Sequence, residues 1–185
     1  GCAWASEVRI VMSRISRSLL IFCLLLVAPL APAQAPTEQQ LKAAYLVNFL
    51  KYVEWPEPQG RPTICLFGRD VLSGPLSGYE GKLILGQPLV VRRVSSPEQF
   101  GDCRLLFVPD VEEARFAAVL RWTEGLPILT VSDAEYFARQ GGGIALVRDE
   151  SRLQFDVNLD SLGRARLKAA SPMLRLARQV IGGGR

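Results

Sequence analysis

Between residues 63 and 131, short apolar runs recur: Thr63–Phe67, Leu89–Val94, Leu105–Val108 and Ile128–Val131. Each is too short for a buried helix and is bounded by Gly, Pro or Asp, which marks a strand with both faces covered. Helix-compatible or turn-rich stretches lie between them. Strands alternating with helices require a largely parallel sheet, because parallel neighbours need a crossover connection. The expected fold is α/β: a three-layer sandwich, mostly parallel, with a C-terminal antiparallel β-hairpin edge. That hairpin is read from Ile144–Arg148 and Leu153–Leu159, which flank Asp149-Glu150-Ser151-Arg152. In its second strand Leu153, Phe155, Val157 and Leu159 alternate with Gln154, Asp156 and Asn158, so the latter side is expected to be the wetter one.

The helices are read from caps and spacing. Thr37 caps a helix running to about Val53, with Leu41, Ala44, Tyr45, Asn48, Phe49 and Tyr52 recurring at steps of three and four. Pro56 and Pro58 stop it. Short helices are expected at Asp70–Leu76 and Ala134–Arg139, and a longer one at Glu112–Thr123 with Gly125 behind it. Ser161 to Val180 reads as mainly helical, divided by Pro172, with Ser171 capping a last helix of Met173–Val180.

The first 33 residues read as an address. Residues 1–11 are an extension ahead of Met12. Arg14 and Arg17 then precede the apolar run Leu19–Leu30, and Ala31-Pro32-Ala33 offers small residues for cleavage before Gln34. The run is short for a membrane span, which needs about 20 apolar residues. Cys23 lacks the small residues that precede a lipoprotein cysteine. Residues 34–185 are then one exported α/β domain. Cleavage removes Arg9, Arg14, Arg17 and Glu7 from 22 basic and 18 acidic residues, leaving 19 and 17. No Lys/Arg cluster is interleaved with aromatics, so nucleic acid is not an expected partner.

The chain has no histidine, which removes Ser-His-Asp and Cys-His chemistry and imidazole metal sites. No metal or cofactor is expected, and no enzymatic activity. Gly141-Gly142-Gly143 follows a helix and precedes a strand, the reverse of a nucleotide loop, and reads as a turn. Gly68-Arg69-Asp70 has the right order but a single glycine. Asp156 and Asp160 read as a solvated charge and a helix cap rather than an acid–base pair. Ser73, Ser95 and Ser132 have no base, and Lys42, Lys51, Lys82 and Lys168 stand at no nucleophile spacing. Cys65 and Cys103 survive cleavage and enter an oxidising compartment. They form a bridge if their apolar runs are neighbouring strands, and are otherwise two separate buried thiols. A loop of that length contributes roughly 4 kcal/mol in the chain-entropy model.

Two aromatic or apolar groups remain. Tyr45, Phe49, Tyr52 and Trp55 can share one face, as core or as a partly exposed ledge. Leu167, Ala170, Pro172, Met173 and Leu174 are core or an apolar docking strip.

Several blocks together resemble the YfiR family of periplasmic proteins. Lys42 to Pro56 (KAAYLVNFLKYVEWP) is similar to its opening signature. Ile64 to Gly68 resembles its first strand, and Cys103 to Val108 its cysteine-led central strand. Gly142 to Val147 with Leu153 to Leu159 resembles its closing block, continued by Leu167-Lys168 and Leu174 to Ala177. The resemblance implies a repressor that binds the periplasmic sensor domain of an inner-membrane diguanylate cyclase. It further implies release by an OmpA-like outer-membrane lipoprotein, a homodimer, and control of cyclic-di-GMP and biofilm formation. Cys65 and Cys103 match one family disulfide. A second, more C-terminal pair known in relatives has no counterpart, because no cysteine follows Cys103. Trp55, Leu167, Pro172 and Leu174 are the nearest candidates for partner contact. The alternative is a periplasmic binding module for a small aromatic or anionic ligand, unconnected to a cyclase.

Overall fold

A computed structural model describes residues 34–56, 60–150 and 152–184. The extension and the signal-like run lie outside the described residues. Residues 36–185 form one compact unit.

The first helix, α1 (Glu38–Tyr52), starts at a capping box: the Gln40 amide donates to Thr37 Oγ1 at 3.2 Å, and the Thr37 amide to Gln40 Oε1 at 2.8 Å. Two residues of β1 (Val53–Glu54) follow. The strands β2 (Thr63–Phe67), β5 (Val90–Val94), β6 (Leu105–Val108), β7 (Leu129–Ser132) and β8 (Ile144–Asp149) are parallel neighbours in the order β5-β2-β6-β7-β8. The order reverses between β2 and β6. β9 (Arg152–Asn158) returns antiparallel to β8, and β11 (Gln179–Ile181) adds outside it, parallel to β9. The mostly parallel sheet with its C-terminal hairpin is therefore present, and β11 rather than the hairpin forms the outermost edge.

Alternation along each strand divides the interior in two. Ile64, Leu66, Leu105, Phe107, Leu129, Val131, Ile144 and Leu146 face one layer. It contains α1, α2 (Ser73–Ser77), α4 (Leu159–Arg164) and α5 (Ser171–Leu176). Cys65, Phe67, Leu106, Val108, Ala145 and Val147 face the other, which contains α3 (Phe116–Trp122) and Phe100, Phe137 and Ala138. Cys65 and Cys103 form a disulfide, with Cα atoms 5.7 Å apart. The strands around it are in register, Cys65 lying opposite Leu106.

Between α2 and β5 lies a small ribbon of β3 (Leu83–Ile84) and β4 (Gln87–Pro88) whose tip, Leu85-Gly86, has positive φ at both residues. Three local expectations are corrected. The helix expected at Glu112–Thr123 is divided: a 3-10 segment, Asp110–Arg115, precedes α3. Ala134–Arg139 folds as successive turns that set the buried Phe137 against Phe116, ring centroids 4.8 Å apart. The turn ends at Gly142, where a Cβ would meet the Phe137 ring at 2.2 Å. Beyond Pro172, α5 ends at Leu176 instead of continuing to Val180, and the chain extends into β11. There the backbone of Gln179–Ile181 pairs with Asp156–Asn158 along the outer edge of β9.

The wet face expected on β9 is the largest correction. Asp156 is 1% exposed and Asn158 is buried. Arg178 holds Asp156 through two bonds, Nε to Oδ1 at 2.9 Å and Nη2 to Oδ2 at 2.7 Å. Asn158 donates from Nδ2 to the Ala138 carbonyl at 2.7 Å, and its Oδ1 accepts from the Ser161 amide as the cap of α4. The cap role assigned to Asp160 thus belongs to Asn158; Asp160 accepts from the Gly183 amide instead.

Candidate functional site

The described residues offer little for catalysis. Ser73 is bonded to Asp70 as part of a turn, and Arg93 lies 3.1 Å from the same carboxylate. The Ser73 hydroxyl, then its amide and Arg93, hold the Asp70 carboxyl below its ordinary value. Lys42 is buried between Asp133 at 2.7 Å and Glu38 at 2.9 Å. Burial works to lower its pKa, but the hydrogen bonds to Asp133 and Glu38 more than offset this and raise it. A cation held this way is not a base. At Gly68-Arg69-Asp70, the Glu112 carboxylate already accepts from the Arg69 amide at 3.0 Å, and a Cβ on Gly68 would lie 2.3 Å from Glu112 Oε1. This is the strand-order reversal at the carboxyl ends of β2 and β6, where open α/β sheets bind ligands. Here the chain's own carboxylate occupies it. The triple glycine is a turn, with the Gly143 amide donating to Thr130 Oγ1.

The two apolar groups picked out in the sequence come together at one place. Tyr45, Phe49 and Tyr52 of α1 meet Pro172, Met173 and Leu176 of α5 around a cleft of about 240 Å³. Phe49, Phe155 and Met173 form its buried floor. The Tyr45 ring lies 5.8 Å from Phe49 and 5.6 Å from Phe155, and Phe49 lies 5.2 Å from Phe155, centroid to centroid. Phe155 packs edge to face against both rings, while Tyr45 and Phe49 are tilted against each other, and the three fix the floor. The Tyr45 hydroxyl donates to the Leu153 carbonyl at 2.9 Å, and burial pushes its phenol pKa up. The rim is different. Tyr52 is 46% exposed and Leu176 is 77% exposed, with Asn48 and Pro172 exposed beside them. A two-stranded ribbon ties the cleft's ends together: β1 pairs antiparallel with β10 (Lys168–Ala169), and the Ala170 amide donates to the Tyr52 carbonyl at 2.8 Å.

Of the four candidate contact residues, the structure brings only Pro172 to this cleft. Leu174 is half-buried on α5 and packs against the core. Leu167 is 3% exposed and belongs to the core, where no partner reaches it. Trp55 lies away from the cleft. Its Nε1 donates to the Pro127 carbonyl at 2.9 Å, and the Arg104 guanidinium stands 5.9 Å over its ring. Leu176, which the sequence reading did not single out, is the most exposed apolar residue on the rim. A helix continued to Val180 would spread its apolar face over Met173, Leu174 and Ala177. Ending α5 at Leu176 leaves that side chain projecting at the helix end.

A family model described as YfiR/HmsC-like matches residues 39–178. Both solved structures that follow resemble the fold. One is the ABC domain in complex with L-Trp from Streptococcus pneumoniae, 13% identical, TM-score 0.54, covering 75% of this chain and 60% of that one. The other is a conserved domain protein from Vibrio cholerae, 9% identical, TM-score 0.55, covering 78% of this chain and 60% of that one. The chain thus spans about 60% of the length of each. At these identities the likeness is one of fold.

Proposed function

The chain belongs to the YfiR/HmsC-like family, whose members are periplasmic regulators rather than catalysts, and from that premise we propose that it represses an inner-membrane diguanylate cyclase. In this reading it acts in the periplasm, binds the cyclase's periplasmic sensor domain and lowers cyclic-di-GMP and with it biofilm formation. An OmpA-like outer-membrane lipoprotein sequesters it, and it works as a homodimer.

The observation that best supports this reading is the cleft between α1 and α5. Its walls are drawn from the opening and closing blocks that carry the family resemblance. An exposed leucine and tyrosine over an aromatic floor suit a protein partner, because rigid apolar anchors in a desolvated pocket supply most interface energy. Repression is then a population shift: the protein must bind the inactive state of the cyclase more tightly than the active one. A shape-selective apolar contact provides such a difference when the sensor domain presents its complement in one state only.

The test is cyclic-di-GMP measured in a strain lacking the gene, with and without the exported protein restored. Deletion is expected to raise it, and the exported wild type to reverse the rise. Leu176→Glu is expected to export and fold like wild type, because the side chain contributes little to the core, yet fail to repress. Full repression by Leu176→Glu would remove the cleft from the mechanism, and no rise on deletion would remove the cyclase.

A further inference from the structure

A second cleft lies at the end of the sheet where the parallel strands begin. Thr63 and Val90, the first residues of β2 and β5, line it, with Arg104 and Ile128, which immediately precede β6 and β7. Its volume is about 480 Å³, within the range of small-molecule sites, roughly 300–1,000 Å³. Its apolar floor includes Phe100 and Ile128, both buried.

Its charge is one-sided. Arg61, Arg92, Arg104 and Arg166 all line it, against one carboxylate, Asp102. Asp102 is taken by Arg92 at 3.1 Å. Among the described residues, Arg61, Arg104 and Arg166 have no ion-pair partner. Arg104 is the most constrained. Its Nη2 donates to the Gly60 carbonyl at 3.0 Å, while its Nε is buried with no hydrogen-bond partner. Burial also pushes its pKa down, so its charge is held in poor solvation. Arg166 sits at φ +60, a conformation that residues other than glycine adopt at a cost. Several guanidinium groups gathered without counter-charge destabilise each other, and a buried donor left unpaired adds to that. An acceptor that bridges them relieves the repulsion. Guanidinium forks match carboxylate and phosphate oxygens two at a time.

We propose that this cleft binds a small organic anion, its carboxylate or phosphate groups bridging Arg104 and Arg166 and its body resting on Phe100 and Ile128. The site is separate from the α1/α5 cleft and stands whether or not a cyclase is the partner. Cys103 lines the same cleft, so the disulfide forms part of the wall and holds the strand ends that carry the arginines.

The test is calorimetric titration and thermal unfolding of the full chain, with citrate and with inorganic phosphate as probes. Sodium chloride replaces either probe at equal ionic strength as the control. Citrate is expected to bind and to raise the unfolding temperature beyond the chloride control. Arg104→Gln and Arg166→Gln are each expected to weaken binding roughly tenfold or more, the loss of one charged hydrogen bond. Arg166 is exposed, so its variant keeps the test open if Arg104→Gln fails to fold. Binding of phosphate but not citrate would assign the site to phosphoryl groups, and the converse to carboxylates. If neither probe exceeds chloride, or if Arg166→Gln binds both as wild type does, the proposal is wrong.

Discussion

Replacing Arg178 by Met leaves the Asp156 carboxylate in place, 1% exposed, with both of its guanidinium bonds gone. Glu135 stands 3.9 Å from Arg178 and supplies no positive charge in compensation. Breaking a buried pair from one side costs about 3–5 kcal/mol, because the remaining ion stays desolvated. The Arg178 side chain is 28% exposed, so water reaches its end of the pair. The expected loss is therefore the lower figure, about 3 kcal/mol. For a domain of this size that lowers the unfolding temperature by roughly 6–12 °C. Removing the charge altogether, in Asp156→Leu with Arg178→Met, should recover most of the loss, as apolar replacements of buried pairs often do. Urea unfolding of the wild type and of the two variants measures the loss and its recovery. A single variant within about 0.5 kcal/mol of wild type, the range of ordinary surface changes, would refute the reasoning. So would a double variant no better than the single one.

Two further outcomes are expected. Cys103→Ser removes a link that closes a 38-residue separation; it should cost about 4 kcal/mol in the chain-entropy model, and wild type but not the variant should change mobility on reduction. Glu38 has its pKa lowered chiefly by the hydrogen bond from Lys42, with Arg148 adding to it. A depressed carboxyl pKa contributes stability that is complete above the ordinary value of 4.5 and is lost as pH falls through the folded value. Glu38→Gln should therefore flatten the acid limb of a stability–pH curve, and an unchanged acid limb would show that the contact contributes nothing.

The sheet was legible because its signal is local. Runs such as Leu105–Val108 are bounded by turn residues and cannot be buried as helices, and α1 carries its cap and its spacing in the same 16 residues, 37–52. What stayed hidden depends on distant partners. The alternation of β9 marks Asp156 as polar, and polar residues are usually wet; only the arrival of Arg178, 22 residues later, makes its burial tolerable. Likewise β11 has no strand signature of its own beyond Gln179–Ile181 and exists because β9 has a free edge. The candidate site was half visible. Its aromatic wall follows from α1 periodicity, but Leu176 takes its place from where α5 stops, and that is decided by the same edge of β9.

The disulfide encloses a particular stretch of chain. Between Cys65 and Cys103 lie the β3–β4 ribbon, with Leu83 and Leu85 exposed, and β5, the edge strand, whose neighbour in the sheet is β2. A protease that cuts at the exposed Leu85-Gly86 tip separates β2 from β5 along the backbone. The two fragments each keep one of the bonded cysteines, so they stay covalently joined next to the strands that must remain paired. In a compartment rich in proteases and poor in reductants, such a nick is silent: the molecule runs intact on a non-reducing gel, and the cut shows only when the thiols are freed.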